Sequence, residues 1–179
     1  NQPPITKWNL ARFAECLIPL IDKNEDEAIK IATEIIDNFQ KNYEIKWLNM
    51  MRDKLGLFGD DKNDLKLINN LLNWMGTNQA DYTNTFCYLM EFNFNDNGIY
   101  NDKNFINWLK NWKQRVLING GSKENSIDLM KKNNPIIIPR NHKVEEALEA
   151  ANNNNLKPMN LLLSFLEKPI SHQMLIWNF

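Results

Sequence analysis

The chain has 179 residues, 43% of them hydrophobic and 24% charged, with 21 Lys and Arg against 22 Asp and Glu. That is one domain's worth of chain with enough apolar material for a core, and its near-neutral charge carries no electrostatic footprint of a nucleic-acid or anionic-membrane binder. Two cysteines and two histidines are too few for a disulfide framework or a thiolate zinc site, and no apolar run approaches the roughly 20 residues that span a bilayer.

The periodic segments read as helices. Trp8, Ala11, Ala14, Leu17 and Ile18 begin an apolar stripe that Pro19 should end or kink. Asn24 before Glu25, Asp26 and Glu27 reads as an N-cap with acid in the first turn and a capping-box spacing. The helix it starts carries Ile29, Ala32, Ile35, Ile36, Phe39 and Tyr43, and continues to Leu55, where Gly56 supplies the stop. Leu65, Ile68, Leu71, Leu72 and Met75 form the next stripe, closed by Gly76. Asp81 to Met90 predicts another helix before a loop from Asn93 to Asn101. Asp102 is an N-cap for a helix burying Phe105, Trp108, Leu109, Trp112 and Val116, and Gly120-Gly121 punctuates the chain after it. A short helix near Ile127 to Lys131 leads into Asn134-Pro135-Ile136-Ile137-Ile138-Pro139, whose prolines force an extended path. Asn141 looks like the cap of a helix through Val144, Ala147, Leu148 and Ala151, and Pro158 suits the first turn of a last helix with Met159, Leu162, Leu163, Phe165 and Leu166. No useful stretch alternates with period two. The expectation is an all-α, multi-helix fold forming a single helical domain over residues 1–179, with no repeat and no linker.

About a sixth of the chain is Asn, densest at Asn152-Asn153-Asn154-Asn155. This reads as compositional bias at tolerated surface positions rather than a functional polar tract.

No constellation of catalytic residues emerges from spacing. The six glycines are scattered at helix ends, so there is no Gly-rich phosphate loop. Cys16 and Cys87 lie in apolar stretches and read as buried, inert thiols. His142 reads as a half-exposed first-turn residue, and His172 has no acidic or thiol partner close in sequence. Glu145, Glu146 and Glu149 share a helix face, which could hold metal or do acid–base work, but with Lys143 beside them a solvated face is the better reading. Trp108, Lys110, Trp112, Lys113 and Arg115 mix aromatic and basic residues as single-strand binders do, yet the i,i+4 tryptophans lie on the buried stripe and read as core. Catalytic, cofactor-binding and metal residues are therefore assigned to none of these positions.

Four stretches, in order, carry a family pattern. Gln2-Pro3 with Trp8-Asn9-Leu10 and Arg12-Phe13-Ala14 resembles a QPxxxxWNLxRxA segment. Met51-Arg52 with Lys54-Leu55-Gly56-Leu57 is similar to M-R-x-K-L-G-hydrophobic, and Asp81-Tyr82-Thr83 with Thr85-Phe86 to DYTxTF. Asn134-Pro135, Arg140-Asn141 and the helix Glu145 to Ala151 resemble NPxxxxRN and an Ala/Glu-rich helix. Together they resemble the selenoprotein O-like proteins. The resemblance implies a protein kinase-like fold that binds ATP inverted and, with Mg²⁺, transfers AMP to hydroxyl side chains of protein substrates. In that family the ATP-holding Lys and Glu, the catalytic Asp and the metal-binding Asn and Asp precede the first of these segments, so none has a counterpart here. The family's cysteine-bearing tail is not evident either, since the ending Ile170 to Phe179 diverges or stops short.

The resemblance therefore implies the C-terminal helical part of such an AMP transferase, with ATP and Mg²⁺ belonging to the longer parent and no cofactor to this stretch. The start at Asn1 rather than Met, with no signal-like segment, fits the expectation of a piece of something longer. Its partners would be the missing N-terminal catalytic portion and the parent's protein substrates, with neither nucleic acid nor membrane involved. The compartment would be cytoplasmic in a bacterium and mitochondrial in a eukaryote. By analogy with kinases the first helix, with Trp8, Leu10 and Phe13, would be a buried central helix of the larger lobe, and cutting away the smaller lobe would leave an apolar patch around it. Asp81, Arg140 and Asn141 read as turn-locking residues rather than chemical ones. The alternative is a free-standing helical interaction module that offers an apolar groove.

Overall fold

In the computed structural model, residues 2–92, 94 and 98–170 are described. Helices are the only regular structure among them, as the period-3.6 stripes required. The elements are α1 (Gln2–Ile21), α2 (Glu25–Lys54), α3 (Asp64–Asn78), α4 (Tyr82–Glu91), a 3-10 turn at Gly98–Asn101, α5 (Lys103–Val116), α6 (Lys123–Asn133), α7 (Asn141–Asn152) and α8 (Lys157–Leu166). Contacts group the residues into two compact units, one reaching Met50 and the other starting at Met51. The division falls inside the continuous helix α2. No Pro, Gly or polar run marks it, which is why composition suggests one helical domain.

The first unit is a helical hairpin. Pro3 and Pro4 occupy the first turn of α1, where a missing N–H costs nothing, and the helix runs through Pro19 to end two residues later. Asn24 caps α2 by accepting from the Glu27 N–H at 3.2 Å. The reciprocal half of a capping box is replaced: the Asn24 N–H donates to Asp22 Oδ1 at 2.8 Å rather than to Glu27. Burial in this unit is slight. No residue of α1 is buried, and Ala28 and Ala32 are the buried apolar residues of its α2 portion.

The second unit holds the core. Here α5 packs on α3, α6 on α4, and α7 and α8 form a hairpin. Met51, Leu55, Ile68, Phe86, Phe105 and Trp112 are among the fully enclosed side chains. An aromatic layer runs through it: Tyr88 stacks on Tyr100 at 4.0 Å, Trp74 meets Phe105 at 4.5 Å, and Trp108 stacks on Trp112 at 6.0 Å. Each of the three tryptophans also places its indole N–H, on Asp102 Oδ1, Leu67 O and Leu55 O respectively, so no buried donor is orphaned there. The extended stretch before α7 is tied to the end of α8 by the Ile136 N–H on Pro169 O at 2.9 Å.

Helix ends account for the small departures from the sequence reading. Gly76 does not stop α3, which continues to Asn78 and closes on Gln79 at φ 53°. Ser122 caps α6 through the Asn125 N–H at 3.1 Å, starting that helix four residues before the predicted one. Arg140, not Asn141, occupies the cap position of α7. The Asn run is a stop and restart: Asn153 Nδ2 returns to Glu149 O, Asn154 adopts φ 61°, and Asn155 Oδ1 accepts from the Lys157 N–H. The predicted loop at Asn93 to Asn101 lies partly, and His172 wholly, outside the described residues.

Candidate functional site

The end of α2 is a Schellman stop. Leu57 N–H donates to Arg52 O at 2.9 Å and Gly56 N–H to Asp53 O at 3.1 Å, with Gly56 at φ +68°. A β-carbon at Gly56 would lie 2.7 Å from Ser126 O, and Ser126 Oγ donates to Gly56 O at 2.7 Å, so this turn is pressed against α6. Only glycine fits both demands. Leu55 and Leu57 on either side are buried.

Lys54 points across the same turn. Its Nζ donates to Asn133 O and to Asn134 Oδ1, both at 3.1 Å, and lies 5.2 Å from the Phe86 ring centre. Burial pushes the Lys54 amine below its ordinary value. Asn134 is itself buried and spends both amide hydrogens, on Lys54 O at 2.8 Å and Met130 O at 2.9 Å. The two residues thereby fasten the end of α2 to the end of α6.

Asp81 caps α4 by accepting from the Asn84 N–H at 2.8 Å. Arg140, 59 residues away, forks onto the same carboxylate with Nη1 at 2.7 Å and Nη2 at 3.1 Å. The Arg140 hydrogen bond holds the Asp81 carboxyl below the usual range, against the opposing effect of partial burial. Tyr82 Oη donates to Met51 Sδ at 3.7 Å. Three of the segments singled out in the sequence, at 51–57, 81–86 and 134–141, are thus joined to one another.

A fourth group is missing from the sequence reading. Asp64, fully buried at the start of α3, accepts from Arg52 Nε at 2.7 Å, Arg115 Nε at 2.7 Å, Arg115 Nη2 at 3.2 Å and the Asp61 N–H at 3.0 Å. Burial pushes the Asp64 carboxyl up, but the Arg115 bond, the Asp61 N–H and Arg52 outweigh it, and the net is below the ordinary value. Arg115 also reaches Phe58 O and Gly59 O, clasping the turn between α2 and α3. The signal for Arg115 was present: it lies three residues after Trp112, on the buried phase of α5.

The other sequence candidates separate. Trp108 and Trp112 are core, while Lys110 and Lys113 beside them are exposed. Glu145, Glu146 and Glu149 are exposed, with Glu146 paired to Lys143 at 3.0 Å. His142 is exposed. Burial raises the Cys87 thiol, with Glu91 and Asp81 adding to it, as suits an inert thiol. Cys16 corrects the reading: it is exposed, because α1 buries nothing, and its thiol donates to Arg12 O at 3.5 Å.

In the first unit, a groove of about 760 Å³ runs between α1 and α2, walled by Ala11, Ala14, Ile18, Ile29, Ala32 and Ile36. Trp8 and Phe13 on α1 are 61% and 60% exposed. Asp64 is filled by two guanidinium groups, Asp81 is forked by Arg140, and no three His, Cys, Asp or Glu side chains gather among the described residues. None of the described helices is long and apolar enough to cross a membrane.

A family profile described as protein adenylyltransferase SelO matches residues 1–167. Among curated relatives, the protein nucleotidyltransferase YdiU of Pelagibacter ubique is 57% identical over 169 residues, 94% of this chain and 35% of the relative. That of Nitrosococcus oceani is 45% identical over 170 residues, covering 94% and 34%. That of Halalkalibacterium halodurans is 46% identical over 173 residues, covering 96% and 35%. The chain spans about a third of the length of these relatives.

Proposed function

The chain belongs to the SelO protein adenylyltransferase family, and from that premise we propose that it is the C-terminal helical scaffold of a protein that transfers AMP from ATP to hydroxyl groups of proteins. The ATP- and Mg²⁺-holding residues and the catalytic acid then belong to polypeptide outside these 179 residues. One observation carries the reading. Polar residues of three family-like segments are spent on each other: Lys54 on Asn134, and Arg140 on Asp81. Groups so engaged build a rigid support behind a site, while phosphoryl or nucleotidyl transfer needs charged ligands turned toward phosphates.

The test compares the chain with its full-length parent, incubated with ATP labelled in the α-phosphate, Mg²⁺ and a mixed protein acceptor. Label should enter protein with the parent and not with the chain by itself. AMP transfer by the chain by itself would overturn the reading.

The groove of the first unit favours a second reading, a free-standing interaction module with no activity. The coding sequence upstream of Asn1 separates the two. A reading frame with a kinase-like Gly-rich loop, Lys, Glu and Asp supports the scaffold, and a start codon adjacent to Asn1 supports the module.

A further inference from the structure

We propose that Asn119, in the exposed turn after α5, is a modification site at which the chain deamidates itself. The amide becomes aspartate or isoaspartate, and the turn between α2 and α3 loosens.

Deamidation begins when the backbone nitrogen of the following residue attacks the asparagine side chain, and a following glycine shields that nitrogen least. The chain is rich in Asn, yet Asn97 and Asn119 are the two that precede Gly. Asn97 lies outside the described residues.

The structure offers the attacking atom at Asn119. Residues Ile118 to Gly121 make a tight turn, closed by the Gly121 N–H on Ile118 O at 3.2 Å. Both central residues are left-handed, with φ 57° at Asn119 and 80° at Gly120, a conformation that an Asn-Gly pair suits. A β-carbon at Gly121 would overlap Val116 O, so the turn has little freedom to be built otherwise. The Gly120 N–H stands at mid-turn with no acceptor among the described residues, and Asn119 and Gly120 are both exposed. Asn125 also precedes a small residue, but there the Ser126 N–H is held on Ser122 O at 2.9 Å.

The step balances without an oxidant. Hydroxide takes the Gly120 amide proton, the nitrogen bonds to Asn119 Cγ, and the Cγ–Nδ2 bond breaks to release ammonia, which is protonated by water. Water then opens the five-membered imide. Attack at Cγ returns an aspartate, and attack at the main-chain carbonyl leaves Gly120 attached through Cγ, an isoaspartate with one more carbon in the backbone.

The consequence follows from what Asn119 holds. Its Nδ2 donates to Asp60 O at 3.1 Å, and its side chain lies against Gly59, where an added β-carbon would come within 2.8 Å of Asn119 Cβ. A carboxylate cannot donate to Asp60 O, and it adds negative charge beside Asp60 and Asp61. Arg115 remains as the other clasp of this turn, through Phe58 O and Gly59 O, so the effect is local loosening rather than unfolding. Two bonds guard the amide, that to Asp60 O and the turn's own. At the usual net strength each slows ring closure about fivefold, or about 25-fold together.

The experiment incubates the full-length parent beside a free peptide of residues 114–124 in mildly alkaline buffer, and follows the segment carrying Asn119 by mass spectrometry. Conversion of amide to acid should appear at Asn119 of the folded parent at a rate within about 25-fold of the free peptide. Methyl labelling specific for isoaspartate should mark most of the product, because the imide opens mainly at its main-chain carbonyl. Asn119→Gln keeps an amide but must close a six-membered ring, so it should abolish the conversion in that segment. In the converted fraction, hydrogen exchange over residues 58–63 should quicken by about fivefold. A rate below that range, acid without isoaspartate, conversion that persists in Asn119→Gln, or exchange unchanged in the converted fraction would each overturn the proposal. The first two readouts need no variant, so they stand even if Asn119→Gln folds poorly.

Discussion

Replacing Asp64 with Ala should destabilise the second unit more than any other single removal of a polar side chain there. The carboxylate is enclosed and accepts two charge-assisted bonds of 2.7 Å from different arginines. Taking it away strands Arg115, 6% exposed, with Phe58 O and Gly59 O as its remaining acceptors. Arg52 fares better, since Asp60 stays 2.7 Å from its Nη1. Removing one partner of a buried ion pair costs about 3–5 kcal/mol, and Arg52's second partner places this case near the middle, about 4 kcal/mol. With a urea dependence of about 2 kcal/mol per molar, the unfolding midpoint should fall by about 2 M. Fluorescence of the enclosed Trp74, Trp108 and Trp112 reports the transition of this unit. The double variant Asp64→Leu with Arg115→Met, which removes both charges, should recover at least half of the loss seen with Asp64→Leu alone. A midpoint shift under about 0.5 M, or a double variant no better than the single, would refute the account. The pH dependence has a fixed sign. A carboxyl held below its ordinary 3.8 when folded contributes stability that is complete above that value. The contribution is lost as pH falls below 3.8 through the lowered folded value, so acid should erase the difference between the native chain and Asp64→Ala.

Gly56→Ala should cost about 2 kcal/mol or more, since φ +68° alone disfavours an L-residue by about 1–2 kcal/mol and the methyl would press on the Ser126 carbonyl; urea unfolding measures it. Arg140→Lys keeps the charge but loses the fork onto Asp81, and for a half-exposed pair the loss should be only about 0.5–1 kcal/mol, shrinking in high salt, as thermal melts at two ionic strengths would show. Trp8→Ser with Phe13→Ser should reduce self-association of the isolated chain, measured by sedimentation, because those two rings are the bulkiest apolar groups that α1 presents to water.

The helices themselves were legible because their signals are local. Asn24, Asp102 and Pro158 mark starts, and Gly56 marks a stop, within a few residues of the stripes that they bound. Gly76 misled because a glycine ends a helix only where the backbone must turn left-handed, and that happens at Gln79 instead. Polar pairing was not legible for the opposite reason. Asp81 with Arg140, Lys54 with Asn134 and Asp64 with Arg115 join residues 51 to 80 positions apart, and periodicity is blind to such distances. Exposure of α1 was foreseen only through the family resemblance, since a stripe of Trp8, Ala11, Leu17 and Ile18 by itself predicts burial.

Three of the family-like segments share a placement at helix ends. Gly56 closes α2, Asp81 opens α4, Asn134 closes α6 and Arg140 opens α7. Helix ends leave backbone donors and acceptors that must be met, and where two ends adjoin in a core only particular side chains meet them. Asn134 is the sharpest case, with both amide hydrogens and its carbonyl oxygen engaged while almost fully enclosed. Asn134→Ala would leave Lys54 O and the Lys54 ammonium each short of a partner, a loss of about 2–3 kcal/mol. In the full-length parent that loss should appear as a smaller folded fraction and a lower melting temperature. The rate of AMP transfer per folded molecule, counted by active-site titration, should stay within twofold of the native value. A tenfold drop in that rate with an unchanged melting temperature would place Asn134 in the chemistry and overturn the scaffold reading of this segment.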